Sequence, residues 1–411
     1  MTQILNRRAF LGRSALLGCS LAASPLLTPI SLAATPGENR LVVILLRGAM
    51  DGLDVVRPYG DLAYAALRGD AGLADPEGAM DLDGYFALHP ALRPLMPLWQ
   101  QGQLGFAHAV STPYRDKRSH FDGQDLLEAG LSSAGQGTAR DGWLNRVLQN
   151  INGATGETAY AVGRDPLGVL GGSAPVQRWS PESDLALSPQ ALQLAGLIMQ
   201  DDPAFLAAFR QALDIADNDG DAVAGTGTSG EMIARVTNNR AAKGTSTEQQ
   251  VAEFTGKRLR EDTRIASFSI NGWDTHHSQD RTLPQALGRL SDTILTLQDT
   301  VGGPVWNKTT VVAVTEFGRT VRLNGSGGSD HGTGGLMVMA GGSLRGGRVM
   351  GDWPGLAEAQ LFDRRDLMPT RDLRAYLGWL LHAQFGLSVS TVDTTIFPGV
   401  DMGPTPDLLR L

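Results

Sequence analysis

Four of the seven histidines stand beside acids in short polar segments. His120 lies in "RSHFDGQD", His276 and His277 follow Asp274 in "GWDTHHSQ", and His331 follows Asp330 in "SDHGTGG". Carboxylates with neutral imidazoles are the donor set for zinc, manganese or iron. Asp51 and Asp54 in "GAMDGLD" and Glu316 in "TEFGRT" extend that set, while Arg319, Arg47 and Arg118 supply planar forks that suit phosphate or sulfate. Two metals roughly 3.5–4 Å apart clamp the attacking and leaving oxygens of a transferring phosphoryl group. Ser119 stands where a helix begins, beside free N–H groups and the positive dipole end, which favours an anionic ester and a deprotonated alkoxide. Each piece also has a plain reading. "DTHH" is a polar loop, Ser119 or Asp122 a helix cap, Glu316 with Arg319 a surface ion pair worth little, and "GSGGSDHGTGG" a flexible loop.

Position weighs against the plain readings. Leu41 to Leu46 is a continuous apolar run, the pattern of a strand buried on both faces of a sheet. Further strands are expected at 104–110, 265–270, 310–315 and 335–340. Helices are expected at 91–100, after "RSHFDG", over "LPQALGRLSDTILTLQDTV" and over "DLRAYLGWLLHAQFG", where His382 falls on the apolar face and reads as structural. This alternation predicts an α/β domain with a mostly parallel central sheet. Asp51, Ser119, Asp274 and Glu316 each follow a strand, and His331 precedes one. Open α/β sheets bind ligands at the carboxyl ends of their strands, so independent decoration is a poor account of such placement.

The middle, about 140–260, is less regular and mainly helical in pattern. Asp217, Asp219 and Asp221 are spaced like a calcium loop, but Thr228 stands where the bidentate glutamate belongs, so a solvated loop is expected. The formal net charge of −8 argues against a nucleic-acid partner. Residues 1–34 read as a twin-arginine export signal: Arg7-Arg8, Phe10-Leu11, a mild apolar stretch and small residues up to Ala34. That stretch is too mild for a membrane span. The single cysteine, Cys19, lies inside it; "LLGC" also resembles a lipoprotein box, the alternative of a lipid anchor. Disulfides therefore play no part in the remaining chain, which relies on its core.

"LLRGAMDGLDVVRPY", "RSHFDGQD", "GWDTHHSQ", "TEFGRT", "SDHGTGG" and "AGGSLRGGRVMG", in this order, resemble the secreted bacterial family catalogued as domain of unknown function 1501. That family belongs to the alkaline phosphatase-like superfamily, with phosphatases, sulfatases and cofactor-independent phosphoglycerate mutases. The resemblance covers nearly all of 40–411 and implies a three-layer α/β/α sandwich. It implies that Asp51, or failing it Asp54, binds one metal and that Ser119 is the nucleophile. It implies that Asp274 with His276 or His277 binds the other metal, that Glu316 is a strand-end ligand, and that His331 is the last histidine ligand. His276 is the better match of the adjacent pair. Asp330 and His120 are supporting neighbours, and Arg319 a holder of the anion. Phe317 stands where a second ligand is usual, which leaves one metal site poorer.

The function expected is therefore an exported, periplasmic or secreted hydrolase of small phosphate or sulfate esters. It would use zinc, manganese or calcium, with the twin-arginine machinery as its export partner. The alternative is a non-catalytic binding or assembly protein on an inherited hydrolase fold.

Overall fold

The computed structural model describes residues 37–70, 72–75, 77–115, 118–133, 141–181 and 246–410. The export signal, the helices expected near 188–216 and the aspartate-rich loop lie outside the described residues. Strand β1 (Arg40–Arg47) is the middle of the sheet and pairs in parallel on both sides. Its neighbours are β5 (Ile265–Asn271) and β6 (Thr309–Val314). The other strands are β2 (Leu104–Ser111), β3 (Ala159–Val162), β4 (Gln177–Trp179), β7 (Gly335–Ala340), β8 (Val349–Met350) and β9 (Arg371–Asp372). The order is β8-β2-β7-β6-β1-β5-β3-β4, with β9 also beside β2.

The apolar run of β1 has a simple cause. Val42, Ile44 and Leu46 enter one buried cluster, and Leu41, Val43 and Leu45 the other. Helices α4 (Thr247–Leu259) and α5 (Gln279–Val301) cover the first face; α3 (Trp143–Gln149) and α6 (Leu373–Phe385) cover the second. Burying six such side chains contributes on the order of 10 kcal/mol of transfer free energy. The molecule is thus a mixed α/β protein with a large, mostly parallel sheet and flanking helices.

Strand β7 is the exception, antiparallel to both β2 and β6. No helix crosses between β6 and β7, so the chain leaves the sheet edge and re-enters at that edge. Residues 315–334 are therefore a long loop held at the carboxyl ends of β1, β5 and β6. Two further helices matter here: α1 (Gly52–Val55) after β1, and α2 (His120–Ala129) after β2. The helix expected at 91–100 is split into a 3₁₀ turn, Pro90–Leu95, and a short helix, Met96–Gln100. Pro94 and Pro97 lack the N–H that a continuous helix needs there. A small antiparallel sheet of Val56–Arg57, Ala87–Leu88 and Met80–Asp81 was not foreseen. Among the described residues, no helix is long and apolar enough to cross a membrane.

Candidate metal centre

Helix α2 starts at the site. Ser119 is its N-cap, and its hydroxyl accepts from the Asp122 N–H at 3.4 Å. The next residue, His120, lays its ring on Phe317, with centroids 5.3 Å apart, and places Nδ1 2.7 Å from Glu316 Oε1. Its Nε2 is buried, has no hydrogen-bond partner, and lies 3.5 Å from Asp274 Oδ2.

Asp274 leaves the end of β5 and meets two more imidazoles. Its Oδ1 is 3.1 Å from His276 Nε2 and 3.5 Å from His331 Nε2. Ligand atoms of His120, Asp274 and His331 all lie within 4.8 Å of one another. His276 joins them, with its Nε2 2.9 Å from His331 Nε2.

The far side of each ring decides its tautomer. His120 Nδ1 faces the Glu316 carboxylate, His276 Nδ1 faces Asp330 Oδ1 at 3.2 Å, and His331 Nδ1 faces the Arg118 carbonyl at 2.8 Å. Each of these is an acceptor, so each Nδ1 carries the hydrogen and each neutral ring turns an Nε2 lone pair inward. A carboxylate or carbonyl on the outer nitrogen is the usual way a metal-binding imidazole is held. Three inward lone pairs and one carboxylate fit a divalent cation. The edge of a tetrahedron with 2.0–2.1 Å bonds is roughly 3.3–3.4 Å, comparable to the 2.9–3.5 Å that separate Asp274 Oδ1, His276 Nε2 and His331 Nε2.

Glu316 and Arg319 hold this arrangement from beneath. Glu316 Oε1 also accepts from the Gly48 N–H at 2.9 Å and from Gln124 at 3.2 Å, and Oε2 accepts from Thr315 at 2.9 Å. Arg319 donates to the carbonyls of Ala49, Ser329, Gly48 and Trp273 and, at 2.6 Å, to Asp274 Oδ1. It ties the ends of β1 and β5 to the loop that carries His331. Two glycines permit the close packing. Gly48 has φ +119°, and a Cβ there would lie 2.6 Å from the Asp274 nitrogen; one on Gly328 would lie 2.3 Å from the His276 backbone.

Charge follows geometry. Burial would raise Asp274, but the hydrogen bond and charge of Arg319 outweigh it and hold the carboxyl below its ordinary range. Burial would likewise raise Glu316, and the hydrogen bonds from His120, Thr315 and Gly48 hold it down. The hydrogen bond to Glu316 raises His120 against its partial burial, whereas burial lowers His331. Both carboxylates are thus ionised at neutral pH, the form in which they hold or orient cation ligands.

The sequence-derived candidates divide. Asp274, His276, His331 and His120 come together, and Asp330 orients His276 rather than His331. Asp51 does not join them. It is fully buried, caps α1, and its carboxylate is taken by Arg68 at 2.8 Å and Gln279 at 2.8 Å. Burial raises it, and Arg68 more than compensates. Asp54, the substitute, is paired with Arg57 at 2.8 Å and Gln279 at 3.1 Å. Glu316 holds His120 by hydrogen bond, with both oxygens occupied. Arg319 has its donors committed, so it is a brace and not a holder of anions. Arg47 is similarly engaged by Gln124, Glu128 and the Pro166 carbonyl. His277 is exposed, and no hydrogen bond or ion pair joins it to the cluster among the described residues. Phe317 is buried between Tyr114, His120 and His331 as an apolar platform. Sequence reasoning gave His120 only a supporting place and missed Arg68 and Gln279 altogether. The signal for His120 was its position at a helix start after a strand.

The fold and site define a mixed α/β protein with a His/Asp/His metal-capable cluster at the strand ends. The family described as protein of unknown function (DUF1501) matches residues 89–382, and the chain belongs to that family. No curated protein matches the chain.

Proposed function

We propose that this chain is an exported, metal-dependent hydrolase of phosphate or sulfate esters on an alkaline phosphatase-like α/β/α sandwich. One observation carries the metal centre: three imidazoles have their outer nitrogens engaged by acceptors, and their inner nitrogens converge on Asp274. The two apolar clusters, each roofed by helices, support the layered architecture. Three nitrogen donors and one oxygen favour zinc or manganese over calcium, which prefers all-oxygen shells. The pairing of Asp51 with Arg68 removes the carboxylate a second metal would need there, so one cation per chain is the reading.

A bound cation supplies Lewis acidity and positive charge at the ester. His120, His276, His331 and Asp274 would hold it, and Arg319 and Glu316 keep those groups from turning away. Ser119, one residue before His120 at the positive end of α2, is the nucleophile of this proposal. The signal-like residues 1–34 support export from the cytoplasm by the twin-arginine route, with lipid anchoring at Cys19 the lesser alternative. The test is metal analysis of purified protein together with turnover on a panel of aryl phosphates and sulfates. Bound metal, with turnover abolished in Ser119→Ala and metal retained, is expected. Absence of metal after reconstitution with zinc or manganese would refute the centre.

One observation favours a second reading, a non-catalytic binding protein: the donors of Arg319 and both terminal nitrogens of Arg47 are already engaged within the protein. A metal-loaded protein with no turnover on any ester would select it.

A further inference from the structure

Two arginines flank His331 without being consumed by the fold. The Arg118 carbonyl accepts from His331 Nδ1 at 2.8 Å, and Arg365 Nη1 donates to the His331 carbonyl at 2.9 Å. Both guanidinium groups turn to a single carboxylate. Arg365 Nη1 lies 2.9 Å from Asp366 Oδ1, and Arg118 Nη2 lies 3.8 Å from Asp366 Oδ2. Asp366 is fully buried and also accepts from Thr333 at 3.0 Å. Two cations thus share one buried anion beside the loop that carries His331, and Asp330 and Asp363 are the nearby acids whose charge reaches this group. The two arginine side chains are 40% and 34% exposed. Among the described residues, the remaining donors of both forks have no other side-chain acceptor. That distinguishes them from Arg319, whose donors are all directed into the protein.

We infer that Arg118 and Arg365, braced by Asp366, are the clamp for the non-bridging oxygens of a terminal phosphate or sulfate. The inference deepens the hydrolase reading and rests on it for the substrate being an ester; the clamp itself is a statement about anion binding. Guanidinium forks match tetrahedral oxyanions through paired N–H groups, which a single ammonium does not reproduce. The buried carboxylate has a definite task here. It draws both guanidinium groups to one point; burial raises its carboxyl, and Arg365, the Thr333 hydrogen bond and Arg118 oppose that rise. A neutral carboxylic ester gains nothing from such a clamp, so the device selects for anionic esters.

The test is titration of the metal-reconstituted full chain with inorganic phosphate and with sulfate by calorimetry, beside kinetics on an aryl phosphate, an aryl sulfate and the aryl acetate of the same phenol. Arg118→Ala and Arg365→Ala should each weaken oxyanion binding at least tenfold and lower kcat/KM for the anionic esters by at least that factor. The aryl acetate should change less than twofold. Arg365→Lys should recover only part of the loss, and Asp366→Asn should weaken oxyanion binding without displacing metal. Thermal melting of each variant separates misfolding from loss of the clamp. Oxyanion affinity within twofold of the parent in folded Arg118→Ala and Arg365→Ala proteins overturns the inference. Lost oxyanion binding in a protein that never turns over any ester upholds the clamp and refutes only the hydrolase reading.

Discussion

The Nε2 atoms of His276 and His331 lie 2.9 Å apart, each ring with its Nδ1 turned to an acceptor. Asp330 engages the other nitrogen of His276, and the Arg118 carbonyl that of His331. Two lone pairs at this distance repel unless one ring is protonated or a cation lies against both. Metal binding should therefore be tight and should stabilise the fold. One equivalent of zinc or manganese per chain is expected by elemental analysis. A metal at a hundred times its Kd adds about 2.7 kcal/mol. For a domain of this size that corresponds to roughly 3–6 °C in Tm. Chelation should remove that increment, and His331→Ala and His120→Ala should remove both the metal and the response to chelator.

Glu316 is the next link. It is 1% exposed and anchors His120 while its other bonds close on Gly48, Gln124 and Thr315. Glu316→Gln changes one oxygen into a donor and offers His120 Nδ1 a group that can reverse its tautomer. Loss of an outer partner of this kind typically weakens metal binding about 10–100-fold. Competition with a fluorescent chelator would measure it. An affinity equal to that of the parent would mean that His120 is not a ligand.

Arg319 separates a catalytic role from a structural one. Its guanidinium is 0% exposed and makes five contacts to carbonyls and to Asp274. Arg319→Lys cannot reproduce the fork and leaves several carbonyls unpaired. A loss of about 3 kcal/mol is expected, the range for breaking a buried charged pair. Denaturant melts on metal-free protein would show it. A variant with parental stability but reduced kcat would instead return Arg319 to the reaction.

These expectations show which parts of the site were legible in the sequence. The strands were, because β1 and β6 are buried on both faces and so carry unbroken apolar runs, a strong local signal. Asp274 and His331 were also legible, since strand ends and their histidines sit close together along the chain. His120 was not. Ser119 is an extended N-cap and His120 the first helical residue, so what His120 meets is set by how the cap turns the chain, which no local pattern announces. Asp51 was misplaced because its partners are Arg68 and Gln279, and the latter is 228 residues away along the chain. No pattern near Asp51 announces them. The antiparallel course of β7 was equally hidden, because it follows from the missing crossover helix and not from any property of Gly335–Ala340 itself.

Acid should destabilise the protein through two histidines outside the site. His108 is 2% exposed; its Nδ1 accepts from the Ala109 N–H at 3.0 Å, and its Nε2 bonds the Val56 carbonyl at 3.1 Å. A second proton on this ring would point at an N–H, and burial already pushes its pKa down to about 4. His89 is alike: burial lowers it to about 4, and its Nδ1 accepts from Ala91 at 3.1 Å. The unfolded chain protonates both near pH 6.5, while the folded chain resists until about pH 4. Between those values the unfolded state binds more protons, so stability falls as pH falls. Each residue accounts for roughly 3 kcal/mol at the lower end, because a tenfold change in proton affinity is worth about 1.36 kcal/mol. His108→Gln keeps a donor for Val56 and cannot be protonated. Its denaturant-derived stability should decline across this window with a clearly shallower slope than the parent's. An unchanged slope would assign acid sensitivity to the carboxylates, whose lowered values place their loss at more acidic pH.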